Sequence, residues 1–446
     1  MILHAAAALL PYGWAKDVRI RVEEGRITEV TTGVAGPGHG VILPAPVNLH
    51  SHTFQRAMAG LTEGRTAGQD SFWTWRALMY RFLERLSPED VQAIAAQAMV
   101  EMAEAGFSAV CEFHYLHHPV GGGTYADPAE MSNRVAQAAR ETGLGLTHLP
   151  VIYEQGGVDG RPLAGGQLRF GSSPEVFAAV MEGAGRALAG MQDAVLGVAP
   201  HSLRAVSRAT LDRLPGMTDG PIHIHIAEQM AEVTEVQTAW GARPVEWAVA
   251  KLPLDARWCM IHATQMTPSE TASLARTGAV AGLCPITEAN LGDGIFDGPG
   301  WLAARGSFGV GTDSNVRISL GEELRLLEYS QRLGLKARAV LADGRSTGRL
   351  LLEEAAKGGA QAAGRGTGAI SVGQWADLVA LDTGDLRLEG LAGDQLLDAF
   401  LFAGRDGLVT DLWSAGRHIV RDGRHIAREA IETRFRATMR RLRDAL

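Results

Sequence analysis

Near its N-terminus the chain alternates apolar and polar positions, which predicts a β-hairpin. Residues 18–22 alternate strictly, and residues 26–30 repeat the alternation after a turn at Glu24 and Gly25. Successive side chains of a strand point to opposite faces, so this pattern is typical of strands that are buried on one face. A lone hairpin cannot bury an apolar face by itself, so these strands must pair with others elsewhere in the chain.

A similar pattern returns near the C-terminus. Residues 376–381 form a strand-like run, and residues 417–420 lead into Asp422-Gly423, a dipeptide that favours a tight hairpin turn. The simplest interpretation is that the two ends pair with each other. We therefore predict one small β domain, built from residues 1–44 and 371–446 together, with a terminal helix in the second segment.

The middle of the chain, residues 45–370, alternates short apolar runs with helical patterns. Eight strand-like runs begin near the following residues: Val47, Ala109, Leu144, Val195, Pro221, Trp258, Ala279 and Phe308. One helix shows both its ends, because Ser87 and Pro88 suit its start and Gly106 suits its end. Eight successive β-then-α units in a segment of more than about 250 residues predict an α/β fold, the (β/α)8 TIM barrel.

Composition and charge narrow the class of protein. Hydrophobic residues make up 46% and charged residues 21%, and the net charge is −8. An acidic chain is a poor general partner for nucleic acid or anionic membranes, and no apolar run approaches the ~20 residues of a membrane helix. The three cysteines lie far apart without a CxxC pair, so we expect no disulfide framework and a cytoplasmic location.

Ten of the fourteen histidines lie between His50 and His262, mostly where predicted strands end. The C-terminal ends of the strands form the face on which barrel enzymes carry their active sites. His50 and His52 lie two apart on one strand, so both imidazoles face the same side, as a single metal ion requires. An HxH pair alone is weak support for a metal site.

Three later strands also end in polar groups that an apolar strand would not otherwise carry. The fifth run contains His223, His225 and Glu228, the sixth ends at His262, and the eighth ends at Asp313. Each could be an unrelated hydrogen-bonded residue, but their common position on one predicted barrel rim favours a metal centre.

These motifs resemble those of the metal-dependent amidohydrolase superfamily. The segment 373–379 resembles that superfamily's return into its small β domain. The resemblance implies one Zn2+ ion, or Fe2+ or Mn2+ in its place, on the following ligands: His50, His52, His225 and Asp313. It also implies catalytic roles for Glu228, His262 and Asp313. His225 is the expected ligand because it precedes Glu228 by three residues, whereas His223 would lie deeper in the strand.

The distribution of lysines favours one metal ion over two. Binuclear members of the superfamily commonly bridge their ions with a carbamylated lysine on the fourth strand. No lysine lies between Lys16 and Lys251, so that bridge is missing. The sequence therefore predicts a mononuclear site, as in the deaminase branch of the superfamily.

A second set of motifs, in residues 52–56, 71–76, 112–115 and 200–204, is similar to those of the formimidoylglutamate deiminase family. Its reaction is hydrolysis of N-formimino-L-glutamate to N-formyl-L-glutamate and ammonia, by attack of a zinc-bound hydroxide on the formimino carbon. The resemblance implies a homodimer and the following substrate contacts: Gln55, Arg76, Tyr115, His201 and Arg204. Two arginine forks suit a small-molecule dicarboxylate.

Two other interpretations remain open at this point. The first is a different amidohydrolase deaminase, acting on a guanine-like or other aminated heterocycle. Such an enzyme needs an aromatic pocket and has little use for paired arginines. The second is a non-catalytic barrel on a decayed enzyme scaffold, although decay normally erases metal ligands.

Overall fold

The computed structural model describes residues 1–61, 63 and 72–444. The strands of this part are β1 (Ile2–Leu10), β2 (Gly13–Glu23), β3 (Arg26–Thr31), β4 (His39–Pro44), β5 (Val47–Ser51), β6 (Ala109–His114), β7 (Gly145–Ile152), β8 (Val195–Leu196), β9 (Ala199–Pro200), β10 (Ile222–Ile226), β11 (Trp258–His262), β12 (Val280–Leu283), β13 (Ser307–Val310), β14 (Leu378–Leu381), β15 (Val409–Ser414), β16 (Arg417–Arg421) and β17 (Arg424–His425). The α-helices are α1 (Phe72–Leu83), α2 (Pro88–Glu104), α3 (Glu130–Thr142), α4 (Pro174–Ala187), α5 (Arg208–Arg213), α6 (Met230–Trp240), α7 (Pro244–Lys251), α8 (Pro268–Ala275), α9 (Pro285–Leu291), α10 (Gly298–Ala303), α11 (Leu320–Leu335), α12 (Thr347–Ala362), α13 (Asp394–Phe402) and α14 (Arg428–Arg443).

Strands β5 to β13 form a parallel barrel. β5, β6, β7 and β8 pair in that order, β9 also pairs with β7, and β10 to β13 pair in sequence order. Isolated parallel bridges join the two groups. One bridge joins Ser51 to Asp313 on one side, and two join Val198 to Ile222 and Ser202 to His225 on the other. The fourth barrel strand is thus split into β8 and β9. The (β/α)8 barrel predicted from the sequence is confirmed.

The two ends of the chain share one eight-stranded sheet, in the order β17-β16-β15-β14-β4-β1-β2-β3. β4 is the seam, because it pairs in parallel with β1 and antiparallel with β14. The small β domain built from both termini is therefore confirmed as part of the fold. Its exact boundaries, after residues 44 and 370, stay predictions.

The helix with recognisable ends begins and ends as its sequence indicates. Ser87 caps α2, with its side chain accepting from the backbone N–H of Asp90 while the Asp90 side chain accepts from the N–H of Ser87. Gly106 follows the helix with φ 102°, a conformation that other residues rarely adopt. The helix packs against the short 3-10 helix of residues 53–58 and against α3 and α14. No described helix is both long and apolar enough to cross a bilayer.

Candidate active site

Three strand ends bring the four proposed metal ligands together. His50 lies on β5 and His52 directly follows that strand, while His225 lies on β10 and Asp313 follows β13. Backbone hydrogen bonds fix the register between two of these segments: Asp313 N–H donates to the carbonyl of His50 at 3.0 Å, and His52 N–H donates to the carbonyl of Asp313 at 2.9 Å. The ligand side chains therefore share one rim of the barrel.

The ligand atoms converge closely enough to hold one ion. The Nε2 atoms of His50 and His225 lie 3.0 Å apart, and Asp313 Oδ1 lies 3.4 Å from His50 Nε2 and 3.2 Å from His52 Nε2. One ligand atom from each of the four residues lies within 4.8 Å of all the others. Three imidazoles and one carboxylate are a donor set that suits a divalent transition-metal ion.

Hydrogen bonds behind two of the rings orient them toward this centre. His52 Nδ1 lies 2.9 Å from the carbonyl of Phe113, and His225 Nδ1 lies 3.0 Å from the carbonyl of His201. A carbonyl only accepts, so each Nδ1 carries the proton and each Nε2 presents its lone pair to the cluster. This is the tautomer that a metal ligand needs.

Burial keeps the three imidazoles neutral. It lowers the pKa of His52, and it lowers the pKa values of His50 and His225 well below the ordinary range, with neighbouring histidines adding to the effect on these two. Neutral imidazole is the form that binds metal ions. The rings therefore need no deprotonation at neutral pH before an ion binds.

Beside the ligand cluster, Glu228 and His262 meet Asp313. His262 Nε2 lies 3.7 Å from Glu228 Oε1 and 3.8 Å from Asp313 Oδ2. Burial raises the pKa of the Glu228 carboxyl to about 7, so its protonated and ionised forms are both populated near neutral pH. Burial opposes the charged form of His262, but Glu228 and the Glu288 hydrogen bond raise its pKa well above the ordinary range. These groups are suited to proton transfer.

The backbone is unusual at three of these strand ends. Ala227, His262 and Asp313 have positive φ angles of 49°, 69° and 42°. Residues other than glycine seldom adopt this left-handed conformation, and they keep it only where the surrounding structure fixes it. The strand ends carrying Glu228, His262 and Asp313 are therefore held away from ordinary strand geometry at the site.

The five residues expected to contact substrate line one cavity with the metal cluster. Its lining includes these predicted site residues: His52, Gln55, Arg76, Tyr115, His201, Arg204, His225, Glu228, His262 and Asp313. His50 lies beneath the cavity and is fully buried. Within the motif 71–76, Ser71 and the side chains of residues 72–74 lie outside the described part, whereas Arg76 lies inside it.

Aromatic and acidic residues hold the two arginines. Arg76 donates from Nε to the hydroxyl of Tyr80 at 2.6 Å and from Nη2 to that of Tyr153 at 3.1 Å. Arg204 is buried; burial lowers its pKa, but Glu232 and other charged neighbours raise it overall. Both guanidinium groups are thus positioned at the cavity wall.

Neutral donors complete the wall. Gln55 Nε2 donates to the hydroxyl of Tyr115 at 2.6 Å, and the rings of Tyr153 and His201 pack edge-on with centroids 4.7 Å apart. A polar pair and an aromatic edge therefore line the same cavity as the arginines and the metal cluster.

Sequence reasoning missed several members of the site. Tyr80 lies one helical turn after Arg76, a spacing at which side chains meet, so helical periodicity could have found it. Glu232 and Glu288 reach the site from two helices, and no strand-end pattern marks them. Tyr153 directly follows β7, so its position at a strand end could have found it. The sequence predicts that His223 lies deeper in the strand than His225. In the structure, His223 Nε2 lies 2.7 Å from the carbonyl of Ala362, and His223 is not part of the ligand cluster.

Comparison with known proteins agrees with this architecture. Residues 41–419 match the model of the Amidohydrolase family, and residues 1–39 match that of "Formimidoylglutamate deiminase HutF, N-terminal domain". A solved adenosine deaminase from Xanthomonas campestris with bound zinc has a TM-score of 0.83 at 22% identity, covering 99% of this chain and 98% of its own. That likeness concerns the fold alone.

Two further relatives are much more similar. A solved amidohydrolase from Brucella melitensis is 47% identical with a TM-score of 0.95, and each chain covers 99% of the other. A formimidoylglutamate deiminase from Pseudomonas aeruginosa is 47% identical over 99% of both chains. The chain therefore belongs to the amidohydrolase family and, within it, to the formimidoylglutamate deiminases.

Proposed function

We propose that the protein hydrolyses N-formimino-L-glutamate to N-formyl-L-glutamate and ammonia, a step of histidine degradation. The observation that carries this proposal is that Arg76 and Arg204 line the same cavity as the cluster of His52, His225 and Asp313. The substrate has a carboxylate for each arginine and an amidine for the hydrolytic groups. A relative that is 47% identical to this chain is named a formimidoylglutamate deiminase.

The proposed metal ligands are His50, His52, His225 and Asp313, and the proposed ion is a single Zn2+. Three nitrogen donors and one carboxylate oxygen suit zinc, although Fe2+ and Mn2+ take similar ligands. When bound, the ion lowers the pKa of a water molecule to about 7 and so supplies hydroxide at neutral pH. A mononuclear centre is consistent with a barrel that has no lysine between Lys16 and Lys251.

Binding places the formimino group beside the proton-transfer residues. Arg76 and Arg204 each hold one carboxylate in a bidentate bond, and Gln55, Tyr115 and His201 orient the chain between them. Such positioning converts a bimolecular attack into an effectively unimolecular one. The acidic net charge of the molecule makes these local cations necessary for holding a dianion.

The chain's own groups then move the protons. Asp313 accepts a proton from the attacking water, while His262 Nε2 holds and polarises that water from the other side. Oxygen bonds to the formimino carbon, and Glu228 delivers a proton to the departing nitrogen. The carbon–nitrogen bond breaks, one water is consumed, and ammonia leaves with N-formyl-L-glutamate behind.

An ammonia-release assay tests the proposal. Zinc-loaded protein should release ammonia from formiminoglutamate and not from guanine, because a flat neutral heterocycle gains nothing from two arginines. Release from guanine without release from formiminoglutamate would contradict the proposal and favour the heterocycle deaminase.

Two further properties belong to the same proposal. We expect a homodimer, which light scattering after gel filtration would measure, and a cytoplasmic location. The buried state of Cys111, Cys259 and Cys284, all without disulfides, is consistent with a reducing compartment.

A further inference from the structure

A buried carboxylate contacts His262 from outside the substrate cavity. Glu288, on α9, has Oε1 3.3 Å from His262 Nδ1. The other nitrogen of that ring, Nε2, faces Glu228 and Asp313. Both His262 and Glu288 are buried, so the two edges of one ring meet different partners in a site with little water.

The Glu288 carboxylate is itself held in place. The same Oε1 accepts the backbone N–H of Cys284 at 2.8 Å, at the start of α9. That start is fixed a second time, because Ile286 N–H donates to Glu323 Oε2 at 2.9 Å. The carboxylate therefore has a set direction before any substrate binds.

His262 needs such a partner more than an ordinary strand residue does. Its φ of 69° and that of Ala263, 50°, place the end of β11 in the left-handed region. There the side-chain direction is not fixed by the pleat of the strand, and the surroundings must hold it. A carboxylate only accepts hydrogen bonds, so contact with Glu288 places a proton on Nδ1 and selects one ring orientation.

We propose that Glu288 is a positioning residue for the deamination: it accepts a hydrogen bond from His262 Nδ1 and so keeps Nε2 turned toward Glu228 and Asp313. The inference rests on the proposed function for its kinetic consequence, but not for the hydrogen bond itself. The simpler alternative is that Glu288 only holds the start of α9 through Cys284. Glu323 provides the matched control, because it holds the same helix start without touching His262.

The hydrogen bond can be tested without turnover. In zinc-loaded full-length protein labelled with 15N-histidine, we expect a slowly exchanging Nδ1–H resonance that disappears in H262N, which assigns it. The resonance should be lost in E288A, retained but shifted upfield in E288Q because the amide is a weaker acceptor, and unchanged in E323Q. An Nδ1–H resonance that is absent from the wild type, or unmoved in both Glu288 variants, would overturn the proposal.

Steady-state kinetics test the functional half. We expect E288A to lower kcat for formiminoglutamate by roughly 10- to 100-fold, as loss of an outer partner of a site histidine typically does, with KM within about twofold of wild type. E288Q should recover most of kcat, and E323Q should stay close to wild type. Equal losses in E288A and E323Q would show that only the helix start matters.

The two measurements separate this inference from the proposed function. A wild type without activity on formiminoglutamate, but with the predicted resonance changes, would contradict the proposed substrate and leave the Glu288 hydrogen bond in place. If E288A fails to fold, E288Q decides alone, since an Nδ1–H resonance in its wild-type position would show that Glu288 is not the acceptor.

Discussion

His223 and His225 lie two residues apart on β10, yet their rings meet different partners. His225 Nε2 is 3.0 Å from His50 Nε2, whereas His223 Nε2 is 2.7 Å from the carbonyl of Ala362. Both rings are buried. Their difference is one of depth in the barrel, because side chains two apart on a strand share a face.

This contrast predicts the metal content of two matched variants. After zinc loading, elemental analysis should find one ion per chain in the wild type and in His223→Gln, and a large loss in His225→Gln. Glutamine keeps an amide donor for Ala362 but is a poor substitute for an imidazole ligand. Two ions per active chain would contradict the mononuclear site. Loss of the ion in His223→Gln but not in His225→Gln would show that His223 is the metal ligand and His225 is not.

Glu228 combines burial with a position beside His262. Because burial raises the pKa of its carboxyl to about 7, it can both donate and accept a proton near neutral pH. Glu228→Gln should keep its metal but lose at least ~100-fold in kcat, since an amide cannot carry the proton. Glu323→Gln is the control, because Glu323 is also a buried carboxyl but lies outside the cavity. Near-normal kcat in Glu228→Gln would show that another group transfers the proton.

The two arginines are the residues on which specificity depends. Arg76→Ala or Arg204→Ala should lower kcat/KM by about 30-fold to several thousand-fold, the equivalent of roughly 2–5 kcal/mol for a buried charged contact. Lysine should restore activity only in part, because it keeps the charge without the planar fork. Arg276, which is exposed and does not line the cavity, provides the alanine control.

An analogue without the side-chain carboxylate identifies the partner of each arginine. The arginine that binds this carboxylate should matter much less for the analogue than for the full substrate. If both alanine variants turn over formiminoglutamate normally, the paired-arginine argument fails and a heterocycle substrate becomes the better hypothesis.

At the scale of elements, the helix α1 carries Arg76 to the cavity and is anchored at its other end. Arg169, which is buried, donates to the carbonyl of His118 at 2.8 Å, to that of Leu86 at 3.1 Å, and to that of Leu83 at the last residue of α1. The Leu83 carbonyl is among those that a helix end leaves without intrahelical partners. Arg169 thus ties α1 to the loop after β6.

Removing this anchor should affect both stability and binding. Arg169→Met leaves buried carbonyls without donors, so the free energy of unfolding should fall by at least about 2 kcal/mol in urea titrations. KM should rise more than kcat falls, because the displaced helix carries Arg76. Arg81→Met, an exposed change on the same helix, should alter neither. A destabilised Arg169 variant with wild-type KM would show that the anchor does not position Arg76.

Helices and strands were predictable where their apolar periodicity and their cap or turn residues lie within the element or next to it. The capped helix α2 and the hairpins β2–β3 and β16–β17 can each be recognised from a few neighbouring residues. The split fourth strand was not predicted: at Gly197, between β8 and β9, a Cβ atom would lie 2.4 Å from the carbonyl of Pro221. That close approach depends on a neighbouring strand, which a local pattern does not contain.

For the whole molecule, the count of apolar runs predicted the barrel and the similar ends predicted a shared sheet. The order of that sheet, with β4 between β1 and β14, could not be predicted, because periodicity says which face is buried and not which strand is adjacent. The metal-ligand candidates were predictable for a related reason: parallel strands of a barrel end on one rim. Glu288 approaches from helix α9 and carries no such signal. Tyr153 directly follows β7 on this rim, but it was not singled out from the sequence.

A buried ionic network links the barrel to the small sheet. Arg365, after α12, donates from Nε to Asp377 at 2.7 Å and from Nη2 to Asp193 at 2.8 Å. Asp377 immediately precedes β14, and its Oδ1 accepts the N–H of Ala415 at 2.6 Å. Burial raises the pKa of Asp193, but the hydrogen bonds and charges of Arg417 and Arg365 outweigh it and lower the pKa overall.

Removing the shared cation should destabilise the whole molecule. Arg365→Met leaves the buried Asp377 carboxylate without its arginine and leaves Asp193 with Arg417 alone, so the free energy of unfolding at pH 7 should fall by about 3–5 kcal/mol in denaturant titrations. Arg186→Met, which removes only an exposed pair with Glu182, should cost less than about 1 kcal/mol.

The difference should also depend on pH in a defined direction. The folded pKa of Asp193 is lowered, so its contribution is fully present above the unfolded value near 3.9 and is lost as the pH falls through the folded pKa. In Arg365→Met, Asp193 keeps only Arg417, so it loses part of this pH-dependent contribution. The gap between wild type and variant should therefore be largest at neutral pH and narrow below about pH 4. A gap that is constant with pH would show that Arg365 contributes packing and not charge.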